Sequence, residues 1–316
     1  MLLSIVFSFR NEEESIPELV RRVNEAIIQI KDVRHEMIFV NDDSTDRSLE
    51  ILLGLQKYHP IRIINMSRRF GVTPCVLAGF SHAKGEAVIY MDADLQDPPA
   101  LIPEMVERFR NGTEVVHTTR TRRDGENAVK MWLTRQAYRI INCISDIPLP
   151  VNTGDFKLLS RKVVQEILNL SEYDPYMRGL SAWVGFQQGF IHYHRQPRFA
   201  GKTHHPLVGI APVSEFIRGL TAFSAAPLYF SFFLGIVTCL TSLALIAYAI
   251  ITKLAGVAAP GASGVIIAVS FFSGVILITN GITGLYIARI YNEVKHRPRY
   301  IIKSIIDIVD NNAIKS

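Results

Sequence analysis

Apolar and polar positions follow two alternating rhythms through the first third of the chain. Leu2-Leu3-Ser4-Ile5-Val6-Phe7 is a nearly unbroken apolar run, the pattern of a strand buried on both faces. From Ser15 to Ile30 the apolar residues Ile16, Leu19, Val20, Val23 and Ile27 recur at the helical period. Glu36 to Val40 predicts a second strand, and Ser44-Thr45-Asp46 offers a helix start ahead of Leu49, Leu52 and Leu53. Ile61 to Asn65 predicts a third strand, Val72 to Ala83 a helix, and Ala87 to Met91 a fourth strand. Pro98 and Pro99 suit the first turn of a helix that continues through Leu101, Met105 and Phe109. Apolar strands separated by helices predict an α/β domain with a mostly parallel sheet covered on both faces.

Further on the rhythm gives way to continuous apolarity. Leu228 to Thr252 and Leu254 to Ala288 contain no Asp, Glu, Lys, Arg or His, while a membrane-spanning helix needs roughly 20 such residues. Two spans are expected, about 228–252 and 264–288, joined by a short connector. The predicted organisation is a catalytic domain over 1–212, an interfacial amphipathic helix over 213–226, a transmembrane hairpin over 227–289 and a tail over 290–316. Val213, Phe216, Ile217, Leu220 and Phe223 form the stripe of the interfacial helix, which suits either the membrane surface or the catalytic domain. Ile301, Ile302, Ile305, Ile306 and Val309 read as another helical stripe, suited to self-association.

Charge and composition refine this picture. The mean hydropathy of +0.19 is high for a purely soluble enzyme, and the excess sits in the two spans. The net charge of +5 gathers beside them, at Arg195, Arg198, Lys202 and Arg218 before the first and Arg289, Lys295, Arg297, Arg299 and Lys303 after the second. Positive flanks belong on the cytoplasmic side, so the catalytic domain and both termini are expected there, on the inner (plasma) membrane. No basic start precedes the apolar opening residues, so no signal peptide is expected. The basic flanks also favour anionic lipid headgroups. They form no aromatic-interleaved patch, so nucleic acid is not expected as a partner. Cys75, Cys143 and Cys239 show neither disulfide nor zinc spacing.

The chemistry collects at predicted strand ends. Arg10-Asn11-Glu12 follows the first strand, Asn41-Asp42-Asp43 the second and Asp92-Ala93-Asp94 the fourth. Ligands of such sheets bind beyond the carboxyl ends of the strands. Helix capping explains Ser44 and Asp46, but not the convergence of all three clusters. Asp92 and Asp94, two apart on an extended backbone, turn to one face and repel unless a cation separates them. Hard divalent ions, Mg²⁺ or Mn²⁺, suit such a carboxylate pair and keep positions open for phosphate oxygens.

Together with "FRNEEESIPEL", "VNDDSTD", "SRRFGVTPCVLAGFSHAKGE", "MDADLQDPP", "NTGDFKLLSRKVV", "MRGLSAWVG" and "KHRPRYIIK", these clusters resemble the family 2 glycosyltransferases. Within them the chain is similar to the polyprenyl-phosphate group, of the bactoprenol glucosyltransferase and dolichol-phosphate mannose synthase kind. The resemblance spans nearly the whole chain. It implies a GT-A fold, a nucleotide-sugar donor and a polyprenyl (undecaprenyl) phosphate acceptor. It places Ser8, Arg10, Glu12, Val40 and Asp42 around the nucleoside, and Asp92, Ala93, Asp94 and Gln96 at the metal and diphosphate. Asp94 then serves both catalysis and the metal. Arg120 is implied as a phosphate contact after the next strand, and Arg198 and Lys202 as a basic loop over the site. Two departures stand out. Ser8-Phe9-Arg10-Asn11-Glu12 replaces the family's usual Pro-x-Tyr-Asn-Glu, and Asp42-Asp43-Ser44 replaces Asp-Gly-Ser, putting a charge where glycine would permit an unusual backbone angle.

The implied reaction is inverting transfer of one sugar, glucose from UDP-glucose by first expectation, to the lipid phosphate at the cytoplasmic face. GDP-mannose, UDP-GlcNAc or a UDP-aminoarabinose type of donor remain alternatives, as does an inactive membrane-tethered nucleotide-sugar sensor. A processive polysaccharide synthase would carry more spans and a Gln-x-x-Arg-Trp signature, both absent here. A phosphate monoester is largely dianionic at pH 7 and needs little help from a base. Asp155, in the family's catalytic position, is therefore read as an orienter or a base of modest effect, with retention of nearby basic residues as the other reading. The resemblance also implies a homo-oligomer, up to a tetramer.

Overall fold

The computed structural model describes residues 1–122, 136, 139, 153–194, 199, 219–256 and 261–308. The chain divides into two compact units, one formed by 1–143, 147–219 and 298–316 and the other by 144–146 and 220–297.

The first unit is built on an eight-stranded sheet in the order β7-β5-β6-β4-β1-β2-β3-β8. The strands are β1 Leu2–Phe9, β2 Arg34–Asn41, β3 Ile61–Met66, β4 Ala87–Asp92, β5 Val115–Arg122, β6 Thr153–Ser160, β7 Gln188–His194 and β8 Ile302–Ile306. The central strands β4, β1, β2 and β3 run parallel, as their continuous apolar runs require. β6 is antiparallel to both β4 and β5, and β7 is parallel to β5. The helices are α1 Ile16–Ile28, α2 Ser48–Leu55, α3 Val72–His82, α4 Ile102–Arg110, α5 Arg161–Asn169 and α6 Met177–Trp183. A 3-10 turn at Pro99–Leu101 leads into α4, which begins the helix slightly later than the prolines alone suggest.

Two apolar layers sandwich the sheet. One packs Leu3, Ile5, Phe7, Phe39 and Ile63 against α1, α2 and α4 through Leu19, Val23, Leu52 and Met105. The other packs Val6, Ile38, Val40 and Val88 against Val76, Phe80, Val163 and Ile167 of α3 and α5.

The tail corrects an expectation. Ile302–Ile306 is not helical; it is a strand antiparallel to β3, with Ile306 opposite Ile63 and Ser304 opposite Asn65. β-branched isoleucines suit a pleated surface, and the otherwise open edge of β3 supplies the ladder they need. Val309 lies outside the described residues.

The second unit contains α7 Ala226–Leu254 and α8 Ala262–Val294, of 29 and 33 residues. Both are long and apolar enough to cross a membrane, and no described residue of either is buried. They extend beyond the expected spans, 228–252 and 264–288, at both ends. The stripe expected over 213–226 falls largely outside the described residues.

Candidate active site

Neighbouring strands β4, β1 and β2 end side by side, so their polar tips meet. Each tip turns through a non-glycine residue in the left-handed region: Leu95 after β4 (φ 59°), Asn11 after β1 (φ 55°) and Asp43 after β2 (φ 59°). Asn and Asp tolerate that region best, whereas leucine is strained there, and such strain persists only where the surroundings impose it. Burial of the Leu95 side chain provides the anchor. At Asp43 the chain adopts the backbone that a glycine would have eased, with the charge retained.

The β1 and β2 tips are zippered together. Asn11 N–H donates to Ser44 Oγ (3.1 Å) and Thr45 N–H to Asn11 Oδ1 (2.8 Å). Glu12 N–H donates to Ser48 Oγ (2.9 Å), and Glu13 N–H to Asp46 Oδ2 (3.2 Å). Asp46 also accepts from Ser48 N–H at the start of α2, the capping role expected of it. Ser44 instead holds the neighbouring turn. Asp42 is nearly buried, and its two oxygens accept the N–H groups of Phe70 (2.6 Å) and Gly71 (3.0 Å). Gly71 makes this turn at φ 95°, a conformation open to glycine, immediately before α3. Val40 is fully buried and packs in the apolar layer under α3. Arg10 Nε is buried without an acceptor among the described residues.

At the β4 tip, Tyr90 OH donates to Asp92 Oδ1 (2.8 Å) and lies 3.3 Å from Ser8 Oγ. Gln96 N–H donates to Asp94 Oδ1 (3.1 Å). Ala93 is buried beside them. Burial, then the charges of Asp155, Asp94 and Asp97, push the Asp92 carboxyl up to about 7.

Facing these acids is a group of cations. Asp155 on β6 accepts a two-pronged contact from Arg178 of α6, Nε to Oδ1 at 3.0 Å and Nη2 to Oδ2 at 2.6 Å. Burial would raise the Asp155 carboxyl, but Arg178, with Lys157 and Arg120, outweighs it and holds the group well below its ordinary range. Lys157, one alternation further along β6 and buried, donates to Ser181 Oγ (2.9 Å). Burial lowers its ammonium to about 8, with Asp155 opposing and Arg178 adding to the shift.

Arg120 lies on β5 itself rather than after it. Its Nε donates to Tyr193 OH (3.0 Å) and its Nη2 to Asp97 Oδ1 (3.4 Å), which also accepts the Tyr193 hydroxyl. Gly154 makes room for this group: a Cβ there would lie 2.9 Å from Arg120 Nη2. Arg120 thus takes part in an internal ion pair. Arg198 and Lys202 lie outside the described residues.

A resident divalent cation fits this arrangement. Asp92, Asp94, Asp97 and Asp155 outnumber Arg120, Lys157 and Arg178, and Asp97 Oδ2 is buried without a donor among the described residues. Hard carboxylate oxygens are the donors that Mg²⁺ and Mn²⁺ prefer. No group of three or more His, Cys, Asp or Glu that could hold an ion occurs among the described residues. Substrate phosphate and water would have to complete the coordination.

Sequence reasoning missed Arg178, Lys157, Asp97, Tyr90 and Tyr193. The signals were present: "MRGL" and "DLQDPP" are part of the resemblance, and Lys157 follows Asp155 at strand alternation.

Carboxylates at adjoining strand ends, opposed by Arg120, Lys157 and Arg178, form a charged cluster at the carboxyl rim of an α/β sheet. The chain belongs to glycosyl transferase family 2, whose model matches residues 4–168, and it is a glycosyltransferase with that family's GT-A fold. It is 40% identical over 308 residues to the uncharacterized glycosyltransferase sll0501 of Synechocystis, covering 96% of this chain and 95% of that one. It is 36% identical over 306 residues to the bactoprenol glucosyl transferase of Shigella phage SfV, covering 96% and 99%. Among solved structures, glucosyl-3-phosphoglycerate synthase of Mycobacterium tuberculosis with Mn²⁺, UDP-glucose and phosphoglyceric acid aligns at a TM-score of 0.46 and 18% identity, covering 70% and 77%.

Proposed function

We propose that the protein transfers one sugar, glucose from UDP-glucose, to polyprenyl phosphate at the cytoplasmic face of the membrane, with inversion at the anomeric carbon. The observation that carries this reading is the carboxylate cluster at the β4, β1 and β2 tips in a chain that also contains an apolar helical hairpin. Near-full-length similarity to bactoprenol glucosyl transferases supports the lipid acceptor and the glucose.

In this reading the Ser8–Glu12 and Val40–Asp42 segments hold the nucleoside, with Arg10 stacking where the family has an aromatic. Asp92 and Asp94 would hold Mg²⁺ or Mn²⁺, which supplies charge neutralisation for the departing diphosphate. Ala93 and Gln96 border that diphosphate. The acceptor is already an anion and attacks without a strong base, so positioning carries most of the rate. Asp155 orients Arg178 toward the reacting phosphates, a role its deep ionisation suits better than proton abstraction. Arg198 and Lys202 add positive charge from the loop before the hairpin. The hairpin keeps the domain at the surface where the lipid phosphate lies, raising its effective concentration. Self-association to an oligomer, up to a tetramer, completes the proposal.

The test uses the full-length protein in lipid nanodiscs with undecaprenyl phosphate and a panel of nucleotide sugars, weighing the lipid product by mass spectrometry. A hexose adduct from UDP-glucose is expected, abolished by chelation and restored by Mg²⁺ or Mn²⁺. Nucleoside diphosphate release independent of lipid phosphate, or no lipid adduct from any donor, would overturn it.

A further inference from the structure

One side-chain row crosses the carboxyl-end rim of the sheet, and its members on β3 and β8 are absent from the machinery above. Phe9, Asn41, Asn65 and Ser304 stand opposite one another in register across β1, β2, β3 and β8. Asn65 Nδ2 donates to Ser304 Oγ (3.1 Å), and Asn41 Nδ2 donates to Asn65 Oδ1 (3.0 Å). Asn41 Oδ1 accepts Ser44 N–H (2.9 Å), and Ser44 Oγ accepts Asn11 N–H (3.1 Å). An unbroken hydrogen-bonded chain therefore runs from the tail strand to the turn after β1. Asn41 and Asn65 are buried, so each amide group left unbonded would bear a desolvation penalty. The row is kept in one arrangement for that reason.

The strand carrying Ser304 is latched rather than loosely laid on the edge. Ser67 N–H donates to Ile301 O (2.9 Å), and Gln56 Nε2 to Asp307 O (2.7 Å). Arg62 Nε donates to Asp307 Oδ1 (2.7 Å), and Tyr300 OH lies 3.1 Å from Ser81 Oγ. At the other end of the row, Asn11 and Asp43 turn the chain through left-handed backbone. Ser44 links them: its N–H donates to Asn41 Oδ1, and its Oγ accepts the Asn11 N–H.

We propose that β8 is a positioning element for the donor pocket, with Ser304 acting through Asn65 and Asn41 to fix the 41–45 turn against Asn11. This rests on the reading that the β1 and β2 tips hold the nucleoside. The tail that follows the apolar hairpin would then govern how tightly the donor binds, while leaving the chemical step alone.

The experiment compares Asn65→Leu, Ser304→Ala and Ser304→Thr in the full-length protein in nanodiscs. Ile305→Ala serves as a control that loosens β8 without touching the row. Hydrogen exchange read by mass spectrometry should speed up in segments 8–15 and 41–48 for Asn65→Leu and Ser304→Ala, not in segment 102–110. Ser304→Thr should restore the wild-type rate. The Kd for UDP and the KM for the donor should rise about tenfold in Asn65→Leu, the effect of one to two lost hydrogen bonds, with kcat within about twofold. Ile305→Ala should lower the melting temperature without that rise. Unchanged exchange in 8–15 and 41–48, or an equal rise in Kd for Ile305→Ala, would overturn the inference. If exchange responds as expected but the wild type binds no nucleotide, the coupling stands and the proposed function falls.

Discussion

The two-pronged contact between Asp155 and Arg178 sets up a decisive double-mutant cycle. Asp155→Asn keeps one carbonyl oxygen for Arg178 Nε but loses the charge and the second, 2.6 Å contact. A hydrogen bond to a charged group contributes about 1.5–3 kcal/mol. The lower part of that range applies, because Arg178 keeps 36% of its side chain exposed and water screens the pair. That corresponds to a fall in kcat of about tenfold to thirtyfold, at roughly 1.4 kcal/mol per tenfold. Arg178→Ala should lose at least as much, since it also leaves Asp155 without its principal partner. If Asp155 acts through Arg178, then Asp155→Asn in the Arg178→Ala background should change kcat by less than about twofold. The assay is kcat at saturating donor and lipid phosphate in nanodiscs, with melting temperatures to verify folding. The acid limb of kcat should follow the acceptor phosphate, whose second pKa lies near 6, in both wild type and Asp155→Asn. Multiplying losses in the double variant, or an acid limb that vanishes with Asp155→Asn, would show that Asp155 moves the proton itself and refute the orienting role.

Three further outcomes follow from the packing. Gly154→Ala should push against the guanidinium pinned between Asp97 and Tyr193, destabilising the domain by about 1–3 kcal/mol; chemical denaturation measures it, and no loss would mean that Arg120 moves freely. Arg62→Met should leave buried Glu36, 3.5 Å away, facing an apolar side chain. The cost is about 3 kcal/mol, toward the low end for a broken buried pair because Ser4 Oγ and Lys84 N–H still donate to Glu36; a melting temperature within a degree of wild type would contradict this. His117 stacks on Phe190, and burial, with Lys157 beside it, pushes its imidazole from 6.5 down to about 3. The unfolded chain therefore binds a proton that the folded one excludes, so stability should fall as pH drops from 6.5 toward 3. His117→Phe should flatten that slope in pH-dependent melting, and an unaltered slope would place its origin elsewhere.

Much of this fold is written locally. The apolar runs of β1, β2 and β4 are short and bounded by polar turns, which favours buried strands, and the stripe of α1 leaves one face for the core. The acids at the strand tips were legible for the same reason, since parallel strands bring their ends to one rim. What escaped was settled by partners far away in sequence. Ile301, Ile302, Ile305 and Ile306 fit a helix as well as a strand, and only the free edge of β3, about 240 residues earlier, decides between them. Asp97 and Tyr193, the partners of Arg120, lie 23 and 73 residues away from it and carry no local signal. A basic partner for Asp155 is among the sequence readings, but only the packing of α6 identifies it as Arg178.

Because the sheet takes its last strand from residues 302–306, the apolar hairpin is an insertion within one domain, not an appendage at its end. During synthesis β3 must wait until both long helices have left the ribosome before its outer edge is covered. A nascent chain stalled in that interval carries an open, isoleucine-lined edge, the kind of template on which strands from other chains aggregate. Premature termination between α8 and Ile302 should therefore yield insoluble material rather than a shortened enzyme.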